Sequence, residues 1–298
     1  MHETIDPTMF GYFEKGYFMQ HTPGQLISRD GLKIHTEMWL PDGQPKAIIL
    51  FLHGIAEHIG RYQHVAAHLV GAGYAFCGLD HRAHGQSDGQ PRTYIPDFNP
   101  VIADAKQYLD QIKAENPGQK IFVYGHSMGS FLGTKFVLAY QDELVGFISS
   151  GSPLLLDTIV PKMMVTIGNI LNAVAPTLPL IDLDLNGISR DPAVVAVYNA
   201  DPLVNAGKVR VRMAVGYNQA IGPLRDKLSA IRLPMLVMHG SADSIAPKSG
   251  SEFLYNQAGS SDKTLKIYEG LYHEIHNEPE KETMLADLTA WLDKHSAG

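Results

Sequence analysis

Cysteine is almost absent from this chain. One residue in 298 forbids an internal disulfide, so the fold does not depend on an oxidising compartment, and a zinc site built from four cysteines is excluded. Basic runs are missing too: the net charge is −7 and no Lys/Arg-rich stripe is present, so nucleic acid is not an expected partner. Long apolar runs are equally scarce. The longest, Ala47 to Leu52, falls far short of the ~20 residues that span a bilayer. The opening MHETIDPTMFGYFEKGYF carries acids where a signal peptide needs positive charge, and no apolar stretch follows it. A soluble, cytoplasmic protein is therefore the expectation. The sequence shows no internal repeat, low-complexity tract or heptad run. At 45% hydrophobic and 18% charged residues, its composition is globular.

What is present alternates. Gln25–Ser28 and Leu32–Leu40 are short β-like runs around Asp30-Gly31, a hairpin signal. Lys46–Leu52 is continuously apolar, as suits a strand buried on both faces of a parallel sheet, and similar runs recur at Gly73–Leu79, Lys120–Tyr124, Leu144–Ser149, Pro234–His239 and Thr264–Tyr268. Helix-like stretches lie between most of them: Tyr62–Val70, Val101–Ala114, Met128–Tyr140, Ser249–Gln257 and Lys281–Lys294. Strand alternating with helix predicts an α/β fold, a mostly parallel central sheet with helices on both faces.

One segment breaks the rhythm, with no clear strand from Pro153 to about Lys227. The expected organisation is a core in two parts, residues 1–152 and 228–298, interrupted by a helical cap or lid at 153–227. Within Leu154–Ile181, 17 of 28 residues are Ala, Val, Ile, Leu or Met. Met163, Met164, Ile167, Ile170, Leu171 and Val174 recur at helical spacing. Such a stripe packs on the core or roofs an apolar site, and methionines suit an adaptable greasy wall. The lid reading is preferred because the insertion follows one strand and the sheet then resumes.

The chemistry centres on Gly125-His126-Ser127-Met128-Gly129, a G-x-S-x-G between a buried strand and a helix. The pentapeptide alone is weak; its setting makes it specific. A strand turning sharply into a helix strains the serine and presents its hydroxyl at the carboxyl edge of the sheet, and small flanking residues let strand and helix approach. The alternative is a glycine-rich turn with a structural serine. A serine hydroxyl needs a base, and the base an orienting acid, which in this architecture follow in the order Ser, Asp/Glu, His. Asp243, in the loop after Pro234–His239, fits the acid, with Asp262 the weaker rival. His273, in the loop after Thr264–Tyr268, fits the base, with His276 as competitor. The oxyanion hole needs two backbone N–H donors. Met128 supplies one, and Ile55, after the first buried strand, is chosen for the other.

Other residues read more plainly. His126 is expected to point away from Ser127. His273-Glu274-Ile275-His276 has its second histidine one residue early for a zinc H-E-x-x-H, and His64 and His68 share a helical face without an evident third ligand, so no metal is expected. Cys77 reads as a buried thiol. Gly71-Ala72-Gly73 does not make a dinucleotide loop. No cofactor is expected.

From about Gly31 onward the chain resembles α/β-hydrolases of the monoacylglycerol lipase and lysophospholipase group. The pieces that carry the likeness are HGIAEHIGRY (53–62), LDHRAHGQSDG (79–89), YGHSMGS (124–130), SRDPAVVAVYNADPLV (189–204), HGSADSIAP (239–247) and KIYEGLYHEIHNE (266–278). The resemblance implies a triad of Ser127, Asp243 and His273 with oxyanion donors at Ile55 and Met128, in agreement with the reading of the residues. It further implies a glycerol head group held by Glu57, Arg61 and His276, with Tyr198 lining the same pocket. The alternative for Glu57 and Arg61 is an ordinary ion pair at a helix start. Two departures stand out: Ile55 is bulkier than the alanine or glycine often found after His-Gly, and Ala83 replaces a glycine common in D-x-R-G-H-G.

The expected function is a serine carboxylester hydrolase acting on monoacylglycerols, with a small lipid ester as its partner. A lysophospholipase or broad short-chain carboxylesterase could use the same triad, although Arg61 is the one basic residue evident near the mouth for a phosphate. An aspartate-nucleophile hydrolase is disfavoured by Ser127, and a peptidase by the shortage of amine anchors beyond Glu57. A ligand-binding relative with little turnover is the non-enzymatic alternative. The cap stripe also offers a surface for transient, peripheral contact with a membrane, although it lacks a basic flank.

Overall fold

A computed structural model describes residues 19–181, 185–205 and 209–297. The N-terminal acidic segment on which the signal-peptide reading rests lies outside the described residues. The described residues begin with the hairpin β1 (Gln20–Ile27) and β2 (Lys33–Leu40), then continue through β3 (Ile48–Leu52), α1 (Gln63–Gly71), β4 (Ala75–Leu79), α2 (Phe98–Glu115), β5 (Ile121–His126), α3 (Met128–Tyr140) and β6 (Gly146–Ser150). After an insertion come β9 (Met235–Gly240), α7 (Ser249–Gln257), β10 (Lys263–Tyr268) and α8 (Lys281–Ser296). Within the insertion lie α4 (Lys162–Val174), β7 (Pro179–Ile181), α5 (Pro192–Ala200), β8 (Val209–Arg210) and α6 (Val211–Arg225). Among the described residues no helix is long and apolar enough to cross a membrane.

The sheet has eight strands in the order β1-β2-β4-β3-β5-β6-β9-β10. Only the β1–β2 and β2–β4 pairs are antiparallel. Alternation explains its two-sided burial: Ile48, Leu50 and Leu52 point into one core with α2 and α3, while Ile49 and Phe51 point into the other with α1 and α8. This is the α/β-hydrolase fold expected from the sequence. Its register matters for function. Leu52 pairs with Gly125, Gly125 with Ser149, and Ser150 with Met238, so β3, β5, β6 and β9 end at one edge. The loops leaving these ends converge there, where ligands bind in open parallel sheets.

The insertion departs from expectation in two ways. The first is that β7 and β8 pair antiparallel inside the segment that reads as strandless. At three and two residues, with Pro179 in the first, they are too short to leave an alternating pattern. The second is the direction of α4: Met163, Met164, Ile167, Ile170 and Val174 all face outward, with Val174 75% exposed. The helix buries Gly168 instead, where an added Cβ would lie 3.4 Å from Val215 of α6. The apolar stripe therefore neither packs on the core nor roofs the pocket; Leu185, Ile188 and Tyr198 from elsewhere in the insertion do the latter.

Candidate active site

Ser127 follows β5 directly and begins α3. Its φ is 53° and ψ −121°, a left-handed conformation that costs a non-glycine residue on the order of 1–3 kcal/mol. The strain is held by the hydrogen bonds on both sides: its N–H donates to Ser150 O (2.9 Å), and its carbonyl accepts from Ser130 N–H (2.8 Å). The flanking glycines are dictated by contact. A Cβ on Gly125 would sit 2.1 Å from Gly129 O, and one on Gly129 would sit 1.8 Å from Leu52 O. No side chain fits either place, so strand and helix close on each other and lift Ser127 to the pocket wall.

His273 comes from the loop after β10 and lines the same pocket as Ser127. Its Nδ1 lies 2.6 Å from Asp243 Oδ2. Asp243, fully enclosed, is held by the loop after β9: its Oδ1 accepts from the N–H groups of Ile245 (2.8 Å) and Ala246 (2.9 Å), and its Oδ2 also meets His239 Nε2 at 2.9 Å. His239 Nε2 faces a second acceptor, Ala246 O, so this nitrogen carries the hydrogen while Nδ1 accepts from Ser251. Burial opposes charge on Asp243, but His273 and His239 outweigh it and hold the carboxyl well below the usual range. Burial likewise opposes the His273 imidazolium, and the Asp243 carboxylate overcomes it, raising the His273 pKa. Asp262, the sequence rival, pairs instead with His295 (3.0 Å) and Lys294 (3.6 Å) at the opposite end of β10.

His53-Gly54-Ile55 leaves β3 beside the serine. A Cβ on Gly54 would lie 3.3 Å from Ser127 Cβ, which brings this backbone against the nucleophile position. Ile55 lines the pocket, half-buried, and Met128 opens α3, where helix N–H groups lack intrahelical acceptors. Ala83, where a glycine is common, adopts φ 62° and so carries left-handed strain that glycine would relieve.

Glu57 and Tyr198 meet at the pocket wall with a residue that sequence reasoning did not single out, Glu274, and Arg61 lies behind them. Arg61 Nη1 and Nη2 each donate to Glu274 at 2.8 Å, and Nη1 also donates to Glu57. The guanidinium lies 4.3 Å from the Tyr198 ring centroid. Glu57 further accepts from Tyr62 Oη at 2.7 Å and from Gly54 N–H. Burial and the neighbouring Glu274 charge push Glu57 up, while Glu274, held bidentate by Arg61 despite its burial, stays below the carboxylate range. His276 stands apart from this group. It is fully enclosed, its ring lies 4.8 Å from those of Tyr62 and His126, and it is not on the pocket wall. Neither of its ring nitrogens has a partner among the described residues. His126, expected to point away, does border the pocket, and its ring lies 4.8 Å from that of His273.

Ser127, His273, Ile55, Glu57, Tyr198 and Glu274 share the wall of one pocket. Glu278 also escaped notice. Its buried carboxylate accepts from Tyr272 N–H (3.0 Å), Arg190 N–H (3.0 Å) and Arg190 Nε–H (2.7 Å), tying the His273 loop to the insertion. No local pattern in the sequence announces this role, because its partner Arg190 lies 88 positions away.

Residues 43–280 match the Hydrolase_4 family, described as serine aminopeptidase, S33. The chain is 36% identical over 268 residues to a monoacylglycerol lipase of Mycolicibacterium smegmatis, covering 89% of this chain and 94% of that protein. It is 34% identical over 278 residues to the monoglyceride lipase of Homo sapiens, covering 91% of this chain and 90% of that protein. A solved structure of a soluble variant of monoglyceride lipase from Saccharomyces cerevisiae, in complex with a substrate analog, matches at TM-score 0.81 and 25% identity, covering 99% of this chain and 100% of that one. Fold, the strained turn at Ser127 and sequence similarity agree: the chain belongs to the Hydrolase_4 family of α/β-hydrolases, among the monoacylglycerol lipases.

Proposed function

We propose that this protein is a serine hydrolase that cleaves monoacylglycerols to fatty acid and glycerol. Similarity to named monoacylglycerol lipases along nine-tenths of the chain supports the substrate. The observation that carries the mechanism is that Ser127 and His273 share one pocket wall, with His273 Nδ1 2.6 Å from Asp243. Ser127 Oγ attacks the ester carbonyl while His273 Nε2 takes its proton. Asp243 fixes the tautomer and stabilises the imidazolium that forms. The N–H groups of Ile55 and Met128 stabilise the oxyanion, a contribution of a hundredfold to a thousandfold per donor by order of magnitude. His273 then protonates the departing glycerol, and water releases the fatty acid from Ser127. Glu57, with Arg61 behind it and Tyr198 beside it on the wall, accepts the glycerol hydroxyls. His276 acts from behind this group, shaping Tyr62 and His126 rather than touching the substrate.

In this reading residues 1–152 and 228–298 form the core and 153–227 the cap, with the sheet stepping from β6 directly to β9 across the insertion. The enzyme works from the cytoplasm at lipid surfaces. The outward stripe of α4, including Met163 and Ile170 at 71% and 61% exposure, supports peripheral membrane contact. Fatty-acid release from a medium-chain monoacylglycerol tests the function, run beside the matching lysophosphatidylcholine, diacylglycerol and a short ester, with Ser127→Ala as control. Turnover of the monoacylglycerol that Ser127→Ala abolishes is the expected result. Equal turnover of the short ester would reduce Glu57 and Arg61 to structural residues, and no turnover of any ester would overturn the reading.

A further inference from the structure

Resting on the glycerol-ester reading above, we infer that Glu274 is a specificity-determining residue that bars anionic head groups from the pocket. Glu57 and Glu274 both line the pocket, whereas Arg61, between them, does not. The Arg61 side chain is 10% exposed, and its guanidinium edge is spent on the two carboxylates while its face covers Tyr198. An arginine so occupied keeps its Nη1–Nη2 fork on Glu274 and does not reach the wall where a phosphate would sit. A lone Glu57–Arg61 pair would be electrically balanced. Glu274 adds a second carboxylate to a single cation, and the excess negative charge sits in a space shielded from water, where like charges interact strongly.

The hydrogen-bond inventory points the same way. All three donors facing Glu57, from Gly54, Tyr62 and Arg61, are satisfied by it, so the head-group side of the wall presents carboxylate oxygens beside the Tyr198 hydroxyl. Hydroxyls bring donors and are matched; a phosphate or carboxylate brings only acceptors and is not. His273 is the remaining cation available to an anion at this wall. An anion that paired with the His273 imidazolium would hold it protonated, and a protonated His273 cannot take the Ser127 proton. Binding of that kind inhibits the reaction. The preferred leaving groups are therefore neutral polyols, with cationic alcohols tolerated.

The test compares 1-acylglycerol, the same 1-acylglycerol 3-phosphate and the same acyl ester of choline, all below their micellar concentrations. Wild type is expected to hydrolyse the phosphate at a kcat/KM about 100-fold or more below the monoacylglycerol, with the choline ester much closer. Glu274→Gln, which keeps the shape and removes the charge, is expected to narrow the phosphate penalty about tenfold or more, while Glu274→Asp keeps most of it. A phosphate ester hydrolysed by wild type as well as the monoacylglycerol would overturn the inference and leave the monoacylglycerol reading standing. An unchanged ratio in a Glu274→Gln protein that still hydrolyses monoacylglycerol would overturn it too. Failure of wild type on all three esters would sink the glycerol-ester reading first.

Discussion

Replacing Asp243 by asparagine tests the proposed mechanism most directly, because the structure dictates how the amide must sit. Four groups face the carboxylate: the N–H groups of Ile245 and Ala246 on Oδ1, and the N–H groups of His239 and His273 on Oδ2. An asparagine keeps its carbonyl where two backbone donors already point. Its NH2 then faces two imidazole N–H groups, donor against donor. His239 cannot yield, because Ser251 on one side and Ala246 O on the other fix its tautomer. His273 can: its proton moves to Nε2, and Nδ1 accepts from the new amide. The nitrogen that faces Ser127 then carries a hydrogen and cannot serve as base. A wrong tautomer of this kind costs about 10⁴-fold in kcat, or about 5.5 kcal/mol of barrier. The pH profile adds an independent sign. Asp243 raises the His273 pKa in the native protein, so wild-type activity is lost as pH falls through that raised value. Without the charge the pKa drops, and the residual activity of Asp243→Asn extends to lower pH. Steady-state hydrolysis of a soluble short-chain ester across pH, with a melting curve to establish folding, measures both. A kcat within tenfold of wild type in a folded variant would refute the reasoning, as would an unmoved acidic limb.

Gly129→Ala is expected to cost at least about 3 kcal/mol or to prevent folding, since the new methyl would meet the Leu52 carbonyl at 1.8 Å; denaturant titration reads the loss. Glu278→Ala strands the N–H groups of Tyr272 and Arg190, at about 1–3 kcal/mol each, and the partly exposed Arg190 ion pair adds little. A fall of about 3 kcal/mol in unfolding free energy, with a lowered kcat from the loosened His273 loop, is the expected outcome. Acid should weaken the fold early. Burial depresses the pKa of His81 to about 3 and of His84 to about 4, so both are neutral when folded but take up protons when unfolded below about 6.5. Stability is full above pH 6.5 and is lost as pH falls toward 4, by up to about 1.4 kcal/mol per pH unit for each histidine. A melting temperature flat between pH 7 and 4.5 would contradict this.

The sequence made the sheet legible because buried parallel strands write themselves as continuous apolar runs, as Ile48–Leu52 does. It made Ser127 legible because Gly125 and Gly129 mark a contact too close for any side chain. Glu274 was not legible, although it adjoins the histidine chosen as base. Its partner Arg61 lies 213 positions away, and only the order β3-β5-β6-β9-β10 brings the two loops together. His239 hid in the same way: it lies inside a strand, and its contact with Asp243 depends on how the following loop turns back. The head-group set was read from resemblance, and three of its members meet the pocket or its Arg61–Tyr198 edge. His276 does not, because the three-residue step from His273 turns it inward against Tyr62.

The cap helix shows why periodicity alone stops short of function. The repeat of Met163, Ile167, Ile170 and Val174 correctly signals a helix with one apolar side, but a moment gives an axis and not a direction. Direction is decided by what the neighbouring element accepts. Against α6, α4 presents Gly168, and Val165, Leu171 and Asn172 are partly covered beside it. This narrower face lets the two helices approach with Val215 in contact, an approach that the methionines and isoleucines would block. The bulky stripe is thus left outside and gains nothing from folding. An exposed apolar patch of this kind marks an interaction surface, and in the proposed reading a lipid surface covers it. Charge reversal on the stripe, Met163→Glu with Ile170→Glu, should therefore lower binding to neutral vesicles and activity on vesicle-borne monoacylglycerol while leaving hydrolysis of a water-soluble ester unchanged. Equal loss on both substrates would mean that the stripe serves the pocket after all.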